Sequence, residues 1–314
     1  MTSPYGAGTR PDGFKMPAVA PAGLERTRLV SPETVDEACR LLAEAEASGQ
    51  AASVLAGGTD FVVDRHLMDV SRAKALDLVV DVTGIRSLTE IETKRSGDET
   101  RLVLGGGVTY WALRNDARVT AAIPMLGRMA RDVGAVQIQT RGTLAGNLAT
   151  ASPAADGVAA LMALDARVIL ASARGEREVP VQDFFTGYRK TVMARGELIR
   201  AVDVRVPTAG ARVQWQKVGT RLAQAISKVA LASAIELESG KIARARFGMA
   251  SVGPVTAALP GVAKLLVGRT LESLRREEID AAVAGEVHPI DDVRSTGHYR
   301  LRVAKALVWR ALAG

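Results

Sequence analysis

The stretch that decides the fold of this chain is TRGTLAGNLATASPAAD, residues 140–156. Its glycines allow a ligand to approach the backbone closely, and Thr143 and Asn147 supply short hydrogen-bonding groups. Such a segment can direct several backbone N–H groups at one point, as phosphate-binding loops do. Asp156 is predicted to cap the helix formed by the apolar run that follows it. Taken alone, the stretch is equally compatible with a simple glycine turn before a helix.

A second stretch of the same kind lies upstream, where residues 53–61 read SVLAGGTDF. An apolar, strand-like piece runs into two glycines and then into Thr59 and Asp60. This is the profile of a strand end whose backbone meets an anion. Two phosphate-type loops suit a ligand with a pyrophosphate and a second large end, which is the shape of a dinucleotide.

The motifs of this chain resemble those of one known family, the FAD-binding medium subunits of molybdenum hydroxylases, the xanthine dehydrogenase and carbon monoxide dehydrogenase group. A single motif is a weak signal, but an ordered set that spans residues 28–314 is far more specific. In chain order the set comprises AGGTD at 56–60, QIQTRGTLAGN at 137–147, TASP at 150–153 with Asp156, FFTGYRKT at 184–191, ELI at 197–199, VP at 206–207, KVGTR at 217–221 and GHYR at 297–300.

The resemblance implies an α+β fold with a two-part FAD-binding domain of the PCMH/VAO-like type, followed by a C-terminal domain. The first domain would combine a small βαβ piece with a mixed sheet and helices, and the second would hold three antiparallel strands under a helical layer. The predicted units are a flexible N-terminal tail at 1–23, the FAD-binding domain at 24–208 with subdomains near 24–86 and 87–208, and the C-terminal domain at 211–314.

Local signals place the helices. Ser31 is predicted to cap the first helix, with a proline in its first turn and Gly49 at its end. The three glycines at 105–107 lack the later positions of a Rossmann fingerprint, which disfavours a nicotinamide-binding fold. They are predicted instead to let a strand pass close to a ligand or to pack tightly before a helix that starts at Thr109.

The family resemblance implies roles for two segments. Backbone amides of the first would hold the FAD pyrophosphate and part of the ribityl chain: Leu55, Ala56, Gly57, Gly58, Thr59 and Asp60. The second would hold the other side of the cofactor: Gly142, Thr143, Leu144, Ala145, Gly146 and Asn147. Alanine stands at position 145 where the family usually has glycine, so the backbone there must adopt negative φ or the loop must shift.

Four further side chains are implied to take part in the site. Asp156 would bind the adenosine end or fix the loop, and Ile199 would pack on the isoalloxazine. Tyr188 would lie near the flavin ring, although its FFTGY segment is also compatible with a hydrophobic plug. Lys217 would approach the polar edge of the ring, where a cation favours the anionic reduced flavin. An exposed edge-strand lysine is the alternative for Lys217.

The function implied by the resemblance is electron transfer. A large subunit with a molybdenum cofactor would oxidise the substrate, and a small iron–sulfur subunit would pass the electrons to FAD on this chain and then to an external acceptor. The assembly would be a heterotrimer or its dimer. Cys39 is the single cysteine, which excludes both an internal disulfide and a thiolate-ligated cluster within this chain. The three histidines (66, 288 and 298) show no metal-ligand spacing.

Composition argues against a nucleic-acid-binding protein and against a membrane-spanning protein. The net charge of +7 is carried by scattered basic residues without aromatic interleaving, so nucleic acid is not the predicted partner. No apolar run is long enough to span a membrane, and a cytoplasmic location is expected. Two alternatives remain open: a self-sufficient FAD-dependent oxidase, and a flavin-less structural subunit that bridges partners.

Overall fold

The computed structural model describes residues 24, 26–67 and 75–313, so the predicted N-terminal tail at 1–23 lies outside the described residues. The described chain forms three packed units. Within it, no helix is both long and apolar enough to cross a membrane.

The first unit is a small parallel sheet with its crossover helices. The elements follow the order β1 (Arg28–Val30), α1 (Val35–Ala47), β2 (Ala52–Leu55), α2 (Thr59–Leu67) and β3 (Leu78–Asp81). The strand order is β1–β3–β2, and both pairs are parallel, as the predicted βαβ piece requires.

The start of α1 corrects one expectation. Thr34, not Ser31, is the N-cap, because the Thr34 hydroxyl accepts a hydrogen bond of 3.1 Å from the backbone N–H of Glu37. The Glu37 carboxylate in turn accepts from the backbone N–H of Glu33 at 3.0 Å. The spacing of Thr34 and Glu37 is that of a capping box, a stronger signal than a serine before proline.

The second unit is a five-stranded sheet with short helices. Its strands are β4 (Ile91–Ser96), β5 (Glu99–Gly105), β6 (Arg167–Ser172), β7 (Gly175–Pro180) and β10 (Leu198–Arg205), with a separate hairpin of β8 (Phe185–Gly187) and β9 (Lys190–Thr191). Its helices are α3 (Tyr110–Asn115), α4 (Ala117–Ala122), α5 (Pro124–Asp132), α6 (Val136–Gln139), α7 (Leu144–Thr150) and α8 (Asp156–Ala163).

The strand order of this sheet is β4–β5–β10–β6–β7, and all four pairs are antiparallel rather than mixed as predicted. Two-residue connections join β4 to β5 and β6 to β7, and such short links can only form hairpins. The glycines before α3 pack tightly, as one of the two expectations had it: a Cβ on Gly105 would lie 2.2 Å from the Leu88 carbonyl oxygen. The helix predicted to start at Thr109 begins one residue later, with Thr109 as its N-cap.

The third unit contains the three antiparallel strands and the helical layer expected at the C-terminus. The strands are β11 (Arg212–Val218), β12 (Val229–Glu238) and β13 (Lys241–Ala250), paired in that order. The helices are α9 (Pro260–Leu266), α10 (Arg276–Glu286) and α11 (Gly297–Ala313). Their buried apolar side chains pack with those of β12 and β13 into one cluster.

Helix α8 lies between the second and third units. All eight of its residues are buried, and the helix packs against both β12 and β13. Its backbone approaches β13 so closely that a Cβ on Gly248 would lie 2.0 Å from the Ala159 carbonyl oxygen. The guanidinium of Arg205 on β10 also forms a bidentate ion pair with the carboxylate of Glu236 on β12. Steric fit and charge therefore hold the two units together.

Replacing Gly248 by alanine is expected to lower the free energy of unfolding by about 2 kcal/mol, since the added methyl group must displace α8 from β13. Urea unfolding measures the change. Gly285→Ala is the matched control, because no atom lies within 4 Å of its added Cβ in α10. The control should be unchanged or up to about 1 kcal/mol more stable. Equal losses in the two variants would contradict the packing argument.

Candidate functional site

A cavity of about 580 Å³ lies where the first unit meets the second, at the carboxyl end of β2. Its size is that of a site for a cofactor or other small molecule. Residues 55–60 line it, together with Gly142, Thr143 and residues 145–147 from the second predicted segment. Ile199 lines it from β10. The two glycine stretches that the sequence singled out therefore face one space.

The two stretches meet backbone to backbone. A Cβ on Gly57 would lie 1.9 Å from the carbonyl oxygen of Arg141, so only glycine allows this approach. The Thr150 hydroxyl donates a hydrogen bond of 2.9 Å to the Asp60 carboxylate, which joins α7 to α2 beside the same contact. The cavity wall is thus continuous across segments that are 90 residues apart.

Unpaired N–H groups line one side of the cavity. Among the described residues, no acceptor is found for the backbone N–H groups of residues 57–61, which form the turn into α2 and its first residues. Gly58 adopts a φ of +74°, which turns the chain from β2 into the helix. N–H groups at a helix start attract anions. A pyrophosphate fits this donor set, so the observed residues suit an FAD.

The second segment is the first turn of a helix rather than a glycine loop. Thr143 is the N-cap of α7, and its hydroxyl accepts from the backbone N–H of Gly146 at 2.9 Å. Ala145 has negative φ, as predicted for an alanine at this position. Leu144 does not line the cavity, because the helix turns its side chain into the core, where it is 2% exposed.

Asp156 does not cap α8, contrary to expectation, and it does not line the cavity. Ala155 is the N-cap, and the Asp156 side chain is 7% exposed. Its carboxylate accepts from the Lys217 ammonium at 2.5 Å and from the Ser227 hydroxyl at 2.6 Å. Burial raises the pKa of the Asp156 carboxyl above its usual value of 3.8, while Lys217 and Ser227 oppose that rise. The carboxylate fixes the start of α8.

The Lys217 ammonium is held by groups of the protein rather than exposed. It also donates to the Asp132 carbonyl oxygen at 2.9 Å, and the side chain of Lys217 is 10% exposed. It is not an exposed edge-strand lysine, and it does not line the cavity. Strand β11 runs beside the end of α5 and the start of α8. The Asp132 carbonyl at the end of α5 and the Asp156 carboxylate at the start of α8 therefore hold the Lys217 ammonium.

The aromatic residues of the FFTGY segment, 184–188, lie partly in the core and partly at the surface. Phe184 is fully buried and packs edge to face on Phe185 with the ring centroids 5.2 Å apart, which is the hydrophobic plug. Tyr188 is 62% exposed and does not line the cavity, because it lies in the tight turn between β8 and β9. Arg189 and Met193 are the cavity-lining residues contributed by this part of the chain.

Tyr110 is a cavity-lining residue that sequence reasoning missed. Its side chain is fully buried, and its hydroxyl has no hydrogen-bond partner within the described structure. The Asn147 amide oxygen, also buried, has none either. Burial first, and then Asp156 and Asp60, raise the pKa of Tyr110, so the phenol stays neutral. Buried polar atoms usually have partners. These two face the start of α8 rather than the cavity, since a Cβ on Gly157 would lie 3.1 Å from the Tyr110 hydroxyl and 2.6 Å from the Asn147 oxygen. In the sequence, the one indication for Tyr110 was that it is an aromatic residue, a type that is scarce in this chain, and that it follows the three glycines at 105–107.

Two family descriptions match this chain. One, the FAD binding domain in molybdopterin dehydrogenase, matches residues 25–209. The other, the CO dehydrogenase flavoprotein C-terminal domain, matches residues 215–314. Together they confirm the resemblance predicted from the ordered motifs.

Individual proteins agree. The glyceraldehyde dehydrogenase medium chain of Sulfolobus acidocaldarius is 29% identical, over 82% of this chain and 88% of its own length. The nicotinate dehydrogenase FAD-subunit of Eubacterium barkeri is 30% identical, over 68% and 69%. A chain of reconstituted CO dehydrogenase from Oligotropha carboxidovorans, 25% identical, superposes with a TM-score of 0.82 and covers 91% of this chain and 96% of that one. The predicted α+β fold is thereby confirmed.

Replacing Lys217 by methionine is expected to lower the free energy of unfolding by about 3 kcal/mol near neutral pH, since it leaves a buried carboxylate without its cation. Loss of Lys217 also raises the pKa of Asp156 further. At pH values between the usual carboxyl pKa of 3.8 and the raised pKa of the native state, the native state keeps a proton that the unfolded state has released. The stability of the variant therefore falls as the pH rises through this range.

Urea unfolding at about pH 4 and about pH 7 measures both effects. The control is the double variant K217M/D156N, which has no buried charge at this position and should regain most of the stability with a flatter pH dependence. A single variant with the pH slope of the wild type would show that the pair does not carry this energy.

Proposed function

Because this chain belongs to the family of FAD-binding subunits of molybdopterin dehydrogenases, we propose that it passes electrons from an iron–sulfur subunit, through FAD in the cavity described above, to an external acceptor. The observation that carries the proposal is the convergence of two glycine segments on one cavity beside unpaired N–H groups. Bound FAD supplies a redox group that takes up two electrons and can release them one at a time.

We assign the cofactor contacts as follows. The N–H groups of residues 57–61 bind the pyrophosphate, and the first turn of α7 approaches the other side of the cofactor. Apolar side chains such as Leu55 and Ile199 exclude water from the flat ring system. Tyr110 and Asn147 line the cavity, but their hydroxyl and amide oxygen are buried against α8 and do not reach the cofactor. Asp156 and Lys217 fix the wall behind these residues rather than contact the cofactor.

The partners in this proposal are a small iron–sulfur subunit and a large molybdenum-cofactor subunit, in a heterotrimer or its dimer. The names of relatives support it, since they describe medium chains and FAD-subunits of dehydrogenases. The single cysteine requires that any thiolate-ligated cluster lie in another subunit. The flavin-less alternative loses its main support, because Ala145 fits its helical position without distortion.

Purification from the native source tests the whole proposal. We expect a flavin spectrum with iron–sulfur bands and two further polypeptides, one with molybdenum. Flavin on a solitary, active chain would favour the oxidase instead. Failure to take up added FAD would overturn the proposal.

Gly57→Ala is expected to weaken FAD binding at least about tenfold, or about 1.4 kcal/mol, because the added Cβ would meet the Arg141 carbonyl at 1.9 Å and separate the two segments. Titration of the flavin-free chain with FAD, followed by quenching of flavin fluorescence, measures the affinity. Gly84→Ala, a nearby glycine with no atom within 4 Å of the added Cβ, is the control and should bind as the wild type does. Equal affinity in both variants would refute the assignment.

A further inference from the structure

The loop at residues 219–226, between β11 and β12, is held at both ends by one carboxylate. Before the loop, Lys217 donates to one Asp156 oxygen at 2.5 Å, and after it Ser227 donates to the other at 2.6 Å. The backbone N–H of Lys228 closes the base by donating to the Val218 carbonyl at 2.8 Å. The loop therefore projects from a fixed point beside the buried wall of the cavity.

The loop also fixes its own conformation. The Arg221 guanidinium donates to the carbonyl oxygens of Ala223 at 3.0 Å and of Gln224 at 2.5 and 3.1 Å. Leu222 is 100% exposed, and Ile226 is 53% exposed. A loop that is ordered before binding loses little entropy when it meets a partner. Two large apolar side chains are thus held in water on a pre-organised support.

More exposed apolar surface lies beside the base of the loop. Lys217 bonds to the carbonyl of Asp132, which is the last residue of α5, and α6 begins four residues later. On α6, Val136 is 48% exposed, and Ile138 is 37% exposed and lines the cavity. We call these two residues, with Leu222 and Ile226, the rim patch. Ile138 is its member that lines the cavity, and the Lys217–Asp132 hydrogen bond joins the base of the loop to the end of α5.

The two segments that carry the rim patch are basic. Residues 128–141 and 219–228 contain one acidic residue, Asp132, and five basic residues: Arg128, Arg131, Arg141, Arg221 and Lys228. The Asp132 carboxylate accepts from the Trp215 indole at 2.9 Å and lies 3.9 Å from the Arg131 guanidinium, so it offsets one of these cations. An acidic surface on the partner therefore favours binding to these segments.

We propose that the rim patch is the docking site of an acidic electron-carrier protein that takes electrons from the flavin. The inference rests on the proposed function and names the class of its external acceptor. A few exposed apolar side chains on basic segments suit a brief encounter, since redox complexes have small interfaces and charge steers their approach. Each two-electron-reduced FAD would reduce two ferric haems, one electron to each, with its protons released to water.

The test uses the soluble haem domain of cytochrome b5, an acidic one-electron carrier, as the probe. Surface plasmon resonance gives its Kd for the immobilised full chain at about 20 mM and about 200 mM salt. We expect Leu222→Asp to raise the Kd at least about tenfold, and salt to weaken binding by the wild type more than by the variant. Both the apolar contact and the charge complementarity are thereby measured.

Val267→Asp is the matched control. Val267 is 51% exposed, and its neighbour Gly268 donates to Ile242, at the end of the β12–β13 hairpin opposite the loop. Eight residues of β12 separate the two ends, which corresponds to roughly 27 Å. This variant adds the same charge far from the rim patch, so its Kd should equal that of the wild type.

A second readout follows the electrons. The photoreduced, FAD-loaded chain is mixed with ferric cytochrome b5 or with a neutral benzoquinone, which needs no protein docking. Leu222→Asp should slow the cytochrome reaction about tenfold and leave the quinone reaction as in the wild type. Equal Kd values for all three chains, or no salt dependence, would overturn the inference. A chain that takes up no FAD would instead overturn the proposed function, and the binding measurement would still test the rim patch.

Discussion

The buried carboxylate of Asp156 is the constraint on which the rest of the structure depends. It binds Lys217 before a loop of the C-terminal unit and Ser227 after it, and it begins the helix that lies between the two units. A buried ion is stable only when its partners are well placed. The position of the third unit is therefore tied to the wall behind the cavity, and neither unit can shift without leaving a charge unpaired.

Close packing of backbone segments also holds the units in place, without any charge. Gly57 meets Arg141 where the two cavity segments join, and Gly248 meets Ala159 where α8 lies on β13. At each contact a single methyl group would collide with a carbonyl oxygen. Gly57 was expected to let a ligand approach the backbone, and its lack of a side chain also lets Arg141 approach, which gives the cavity part of its shape.

Local pattern was enough for much of the site. Gly57 to Asp60 and Gly142 to Asn147 were read as two segments serving one dinucleotide, and the structure lines one cavity with all of them except Leu144. Leu144 does not line the cavity because its segment is helical, so one side chain of the turn must face the core. The predictions of a Ser31 cap and of a mixed sheet were wrong because Thr34 and Glu37 form the stronger helix start, and because the two-residue links of β4–β5 and β6–β7 require antiparallel pairs.

The sequence by itself determined the family, the α+β architecture and the two segments of the cofactor cavity, because glycine spacing, capping residues and alternating apolar runs act over a few residues. Only the tertiary structure decided the partners of Asp156, the buried state of Lys217, the exposure of Tyr188 and the burial of Tyr110. Asp156 and Lys217 are 61 residues apart, and no local pattern encodes which distant group will neutralise a buried charge. That choice is made when whole elements pack, by the cost of leaving either ion alone.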